Sequence, residues 1–161
     1  MHFLKNRIMP FTALLLFAFI TIGCGHAAKA PITVAASSAD DLIANRIALL
    51  TEARKVTPEI SVEELNKMIE AGENITVIDV RDPNEWEVGV IDFAGTKTIS
   101  RGLLEFRAPA QVDVNERIYV ICKSGARGIF ASKALIDLGY PSVTNVVGGM
   151  DAWMAEGYPV K

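Results

Sequence analysis

Arg117-Ile118-Tyr119-Val120-Ile121-Cys122-Lys123-Ser124-Gly125-Ala126-Arg127 passes from a short apolar, β-branched run into a polar loop that carries a glycine. A continuous apolar run of this length predicts a strand covered on both faces. Beyond the loop, Ile129, Phe130, Ala134, Leu135 and Leu138 recur at helical spacing, and Gly139 predicts the stop. Strand, loop and helix in this order form the repeating half of an α/β fold. Working outward, Ile75-Thr76-Val77-Ile78-Asp79-Val80 and Val143-Thr144-Asn145-Val146-Val147 predict two further buried strands. Thr57-Pro58-Glu59-Ile60-Ser61 opens a helix whose capping box is Ser61 with Glu64, whose apolar stripe is Leu65, Met68 and Ile69, and whose stop is Gly72. Residues 149–156 predict a short last helix. The expected architecture is α/β in three layers, a central and mainly parallel sheet flanked by helices. No internal repeat is visible.

The loop carries the chemistry. Cys122 follows a buried strand and precedes a helix, the edge of an open α/β sheet at which ligands bind. Gly125 lets the chain curl tightly, which turns successive N–H groups inward as an anion nest. The start of the next helix adds free amides and a positive dipole end. Lys123 and Arg127 add side-chain charge. A sulfur nucleophile in that setting is favoured as thiolate, and the same loop holds an anionic substrate through Lys123, Ser124, Gly125, Ala126 and Arg127. The bland alternative is an inert cysteine at the end of a core strand. The glycine and the two cations favour the reactive thiol.

Composition excludes several classes. The formal net charge is −3 with 22% charged residues, so no basic surface argues for nucleic acid. The two cysteines, Cys24 and Cys122, do not make a disulfide framework. The two histidines, His2 and His26, lie near the N-terminus, so no Cys/His cluster predicts a metal, and no cofactor is expected.

Residues 1–24 read as an export signal: Lys5 and Arg7, then an apolar run over residues 8–22, then Gly23-Cys24-Gly25. The apolar run is shorter than the roughly 20 residues a spanning helix needs. Thr21-Ile22-Gly23-Cys24 resembles a bacterial lipoprotein box in which Cys24 is lipidated, with Thr21 where Leu is usual. The expected location is then the periplasm, with a lipid anchor in the outer membrane. The alternative is ordinary cleavage near Ala27 and a soluble periplasmic protein. Residues 25–39 read as a tether and 40–56 as an extra helix, capped by Ser37 or Ser38, with Leu42, Ile43, Ile47, Leu49 and Leu50 roughly on one face. Residues 57–161 form the main domain.

Over roughly residues 60–160 the chain resembles the rhodanese family. Four segments carry the likeness: Val77-Ile78-Asp79-Val80-Arg81, Glu85-Trp86-Glu87-Val88-Gly89-Val90-Ile91, the loop from Cys122 to Arg127, and Val147-Gly148-Gly149-Met150-Asp151-Ala152-Trp153 followed by Gly157, Pro159 and Val160. The resemblance implies a sulfurtransferase. Cys122 would take sulfur from a small anion such as thiosulfate, hold it as a persulfide, and pass it to cyanide, a thiol or a sulfur-accepting protein. Asp79 and Arg81 would support the loop as scaffold, and Trp86 and Trp153 would be core. Val90 stands where many members have His, and Gly128 where Ser is common. Residues 92–99 are longer than the usual segment. Ser100-Arg101-Gly102-Leu103-Leu104-Glu105-Phe106 resembles a subset of single-domain members, which makes Arg101 a candidate further anion contact. Two rivals remain. A phosphatase or arsenate reductase of the related type uses a loop one residue longer than the four residues between Cys122 and Arg127. A non-catalytic carrier would use the same loop to deliver persulfide, with the 40–56 helix as its docking element.

Overall fold

The computed structural model describes residues 38–161. The expected export signal, Cys24 and the expected tether up to residue 37 lie outside the described residues. Helix α1 (Ala39–Val56) comes first, followed by β1 (Glu59–Ile60), α2 (Val62–Glu70), β2 (Thr76–Asp79), α3 (Pro83–Trp86) and β3 (Thr96–Thr98). A 3-10 turn (Arg101–Leu103) then leads into α4 (Leu104–Gln111), β4 (Ile118–Ile121), α5 (Ala126–Asp137), β5 (Val143–Val146) and α6 (Gly149–Ala155).

The five strands pair in the order β1-β5-β4-β2-β3, all parallel. Central β4 sets Val120 beside Ile78 of β2 and Asn145 of β5. Side chains alternate across a strand, and the core divides accordingly. Ile118 and Val120, with Ile78 and Val80, pack against Leu104 and Ala108 of α4 and Ala131 and Leu135 of α5. Tyr119 and Ile121, with Val77 and Val146, pack against Val62 and Leu65 of α2 and Met150 and Trp153 of α6. Helices cover both faces, which is why β2 and β4 read as unbroken apolar runs.

The edges depart from the expectation. Thr57-Pro58-Glu59-Ile60-Ser61 does not open the second helix as a unit. Glu59 and Ile60 form β1, which pairs with β5: Asn145 N–H donates to Pro58 O and Val147 N–H, just past β5, to Ile60 O, each at 2.8 Å. The helix itself begins after Ser61, whose capping box with Glu64 is formed. β3 is Thr96-Lys97-Thr98, polar and partly exposed, and carries no apolar signal. Helix α4 contains Pro109, a residue that argues against helix interior.

Helix α1 is capped by Ser38 with Asp41. It packs on α5, yet Ala53 is its one buried residue. Leu42 and Leu49 are each 61% exposed, and Ile43 and Ile47 are also exposed.

Candidate active site

In a parallel sheet every strand delivers its following loop to the same edge. Residues after β2, β4 and β5 therefore converge, and hydrogen bonds tie them together. Val80 N–H donates to Ile121 O at 2.9 Å, which aligns the ends of β2 and β4. The first turn of α6 donates to the cysteine loop: Met150 N–H to Cys122 O at 2.8 Å and Asp151 N–H to Lys123 O at 2.9 Å. That approach requires Gly149. A Cβ there would stand 2.3 Å from Cys122 O, and its φ of +59° already disfavours a side chain.

Cys122 continues the alternation of β4 and joins the α4–α5 side of the core, 1% exposed. It is not merely packed. Gly125, at φ +98°, turns the loop so that its N–H donates to Cys122 Sγ at 3.1 Å. Lys123, Ser124 and Ala126 are exposed around this turn, while Gly125 is buried. Sulfur, loop amide and the start of α5 thus come together. Gly128, one turn into α5, is forced by its neighbour. A Cβ would lie 2.1 Å from Asn145 Oδ1, so the Asn145 side chain occupies the space that a larger residue would need.

The three arginines around the site, Arg81, Arg101 and Arg127, have protein partners. Arg127 forks onto Glu85, Nη1 to Oε2 at 2.7 Å and Nη2 to Oε1 at 2.8 Å, with Asp82 Oδ2 at 3.4 Å from Nη1. The hydrogen bond from Arg127 pulls the Glu85 carboxyl down to about 2, against the opposing effect of burial. Glu85 in turn raises Arg127 above its ordinary range. The anion that justifies an arginine at a helix start is therefore Glu85, a residue that sequence reading placed in a motif without assigning it a partner. Its only signal was the motif itself, since 42 residues separate the pair.

Asp79 and Arg81 form a buried ion pair, Nη2 to Oδ2 at 2.7 Å. Asp79 Oδ1 also accepts the Arg81 backbone N–H at 3.0 Å, and Arg81 Nη2 donates to Gly89 O at 2.6 Å. The pair fixes the chain leaving β2. Arg101 donates its backbone N–H to Val80 O at 3.1 Å, but its guanidinium lies on Glu105 in the first turn of α4 at 2.8 and 2.9 Å. Lys123 makes no ion pair among the described residues. It lines a cleft of about 210 Å3 with Arg81, Glu85, Val88, Met150, Asp151 and Met154. Trp153 is core, its Nε1–H donating to Pro159 O at 3.1 Å. Trp86 is half-buried.

Residues 61–156 match the family model described as a rhodanese-like domain. A protein of Bacillus subtilis (strain 168), YrkF, named provisionally as a sulfur carrier, is 36% identical over 96 residues, covering 60% of this chain and 50% of its own. The chain thus spans half the length of that relative. The solution structure of a polysulfide-sulfur transferase homodimer from Wolinella succinogenes matches at TM-score 0.65 and 34% identity, over 78% of this chain and 93% of that one. A Rhodopseudomonas palustris protein of unknown function, described as a possible tyrosine phosphatase, matches at TM-score 0.65 and 26% identity, over 81% and 98%.

Proposed function

Because the chain belongs to the rhodanese-like domain family, we propose that it is a sulfurtransferase that carries sulfane sulfur as a persulfide on Cys122. The donor is a small anion such as thiosulfate, and the acceptor is a thiol or cyanide. Relatives named for sulfur carriage and polysulfide-sulfur transfer support sulfur transfer in general. One observation carries the assignment to Cys122: its Sγ accepts the Gly125 N–H inside a loop closed by α6 at the carboxyl edge of the sheet.

Cys122 thiolate attacks the outer sulfur of the donor. The donor S–S bond breaks and sulfite leaves with the electron pair. An acceptor then attacks the outer persulfide sulfur, the Cys122–sulfur bond breaks, and the thiolate returns. The Gly125 N–H supports negative charge on sulfur in both states. Lys123 is the exposed cation of the loop and meets the donor's charge. Arg127, held by Glu85, acts by fixing the start of α5.

The phosphatase reading fits less well. Four residues between Cys122 and Arg127 enclose a smaller space than the longer phosphatase loop, and Arg127 is already bidentate on Glu85. A pure carrier remains the second reading, favoured by the burial of Cys122 and by YrkF. Full-length protein with thiosulfate and cyanide tests these together. The sulfurtransferase reading expects thiocyanate in many turnovers per Cys122, a carrier gives at most one, and p-nitrophenyl phosphate should not be hydrolysed.

We also propose export, with lipid on Cys24 as the anchor and the outer membrane as the site. Metabolic labelling with a fatty acid should mark Cys24. Absence of label with the protein still exported leaves soluble periplasmic release near Ala27.

A further inference from the structure

Helix α1 precedes residues 61–156, the span that matches the family model. It runs 18 residues, yet Ala53 is its one buried residue. Among the described residues, no other helix leaves so many large apolar side chains exposed: Leu42 61%, Ile43 50%, Ile47 55%, Leu49 61% and Val56 53%. Three of them form a row. Leu42, Leu49 and Val56 are spaced by seven residues, about two turns, and so lie along one line of the helix with about 10.5 Å between neighbours. Leu49 points about 100° round the helix from half-buried Leu50, so the row stands to one side of the contact with α5. Apolar residues at this spacing form the seam of a two-helix pair. The charges are arranged end to end. Asp40 and Asp41 lie in the first turn, Arg54 and Lys55 in the last. With Arg46 and Glu52 the helix carries three charges of each sign and no net charge. A helix that lies on an anionic membrane presents a basic polar face, and α1 has none.

We propose that this row docks a second copy of the chain, α1 against α1 and antiparallel, about a two-fold axis at Leu49. Equal spacing on either side of Leu49 is what such an axis requires. Leu49 meets its own counterpart, and Leu42 meets Val56 of the second copy at each end. Charge complementarity selects the occupant and its direction. Antiparallel helices set the acidic first turn of each copy beside the basic last turn of the other, and their macrodipoles oppose. A parallel pair would set Asp40 and Asp41 against themselves, and Arg54 and Lys55 likewise. Within one copy Lys55 lies on Glu52 at 2.6 Å and Arg54 on Glu59 at 3.6 Å. Both contacts are largely exposed, are worth little on their own, and do not hold the cations back from a second carboxylate. Burial along the row supplies the attraction. One helix seam covers less than the roughly 800 Å2 per partner of a standard interface, so the pair forms and separates with protein concentration.

Sedimentation velocity of full-length protein over a concentration series should show a monomer–dimer equilibrium. Leu49→Glu should weaken it on the order of tenfold or more, because the dimer would then bury two like charges at its axis. Leu49 is exposed in the single chain, so the variant leaves the domain's own core untouched. Disulfide trapping in a Cys24→Ser, Cys122→Ser background reads the direction. Leu49→Cys should link to itself. Leu42→Cys alone and Val56→Cys alone should not, since each stands about 21 Å from its counterpart, whereas a mixture of the two should link. A monomer at every concentration, a dimer indifferent to Leu49→Glu, or self-linking of Leu42→Cys in place of the mixed link overturns the proposal. So does co-sedimentation of Cys24→Ser protein with phosphatidylglycerol vesicles in place of self-association, which would assign the row to a lipid surface. None of these readouts involves sulfur, so they stand whether or not a donor loads Cys122.

Discussion

At the residue scale the site depends on backbone approaches that few side chains permit. Gly149 lets α6 donate to Cys122 O and Lys123 O. Gly149→Ala places a Cβ against a carbonyl at a positive φ, and is predicted to cost roughly 1–3 kcal/mol and to suppress sulfur loading of Cys122. Urea unfolding and a loading assay check the two parts separately. Asp79 and Arg81 make a different prediction. Arg81→Met leaves a buried carboxylate unpaired, which costs about 3–5 kcal/mol. Adding Asp79→Asn should recover part of the loss, measurable as a double-mutant cycle. Gly128 was noted in sequence as a departure from Ser. The structure supplies the reason, since Asn145 Oδ1 fills the position. Sequence alone hid that contact because β5 and α5 meet only through the fold.

At the scale of elements, the Arg127–Glu85 fork joins α5 to α3 and so ties the loop after β2 to the loop after β4. Its pH signature follows from the depressed carboxyl. Glu85 is held at about 2 by its hydrogen bond from Arg127, below the ordinary glutamate value of about 4.3 in an unfolded chain. A lowered folded value means the contribution is complete above that ordinary value. It declines as pH falls towards about 2. Wild type should exceed Glu85→Gln by about 1 kcal/mol at neutral pH, a value kept small by partial exposure. The gap should narrow through acid urea titrations; a gap independent of pH contradicts the fork. Helix α1 differs from the other long elements because Ala53 alone is buried. Its amides should exchange with deuterium well before those of β4, whose four residues are all buried.

At the scale of the whole molecule, the centre of the sheet and its cysteine loop were legible because burial on both faces writes itself as apolar runs. Ile118 to Ile121 and Thr76 to Asp79 needed no tertiary information. β1, β3 and α4 were not legible. Glu59-Ile60 and Thr96-Lys97-Thr98 are edge pairings whose only specification is a neighbour's unpaired amides and carbonyls, and α4 carries Pro109. The loop residues were legible as a group, but the partners of its charges were not. Arg127, expected to meet substrate, lies on Glu85; Arg101, a candidate anion contact, lies on Glu105. The first pairing joins residues through the fold, which no local pattern encodes; the second is an i,i+4 pair whose spacing is visible in the sequence. The central claim concerns Cys122 as the sulfur-bearing atom, and peptide-resolved mass spectrometry of the full chain tests it most directly. After incubation with thiosulfate or polysulfide, the Cys122 peptide should gain about 32 Da, one sulfur atom added to the thiol, and lose it on addition of cyanide or thiol. No gain on that peptide with any donor, or equal sulfur transfer by Cys122→Ser, contradicts the account.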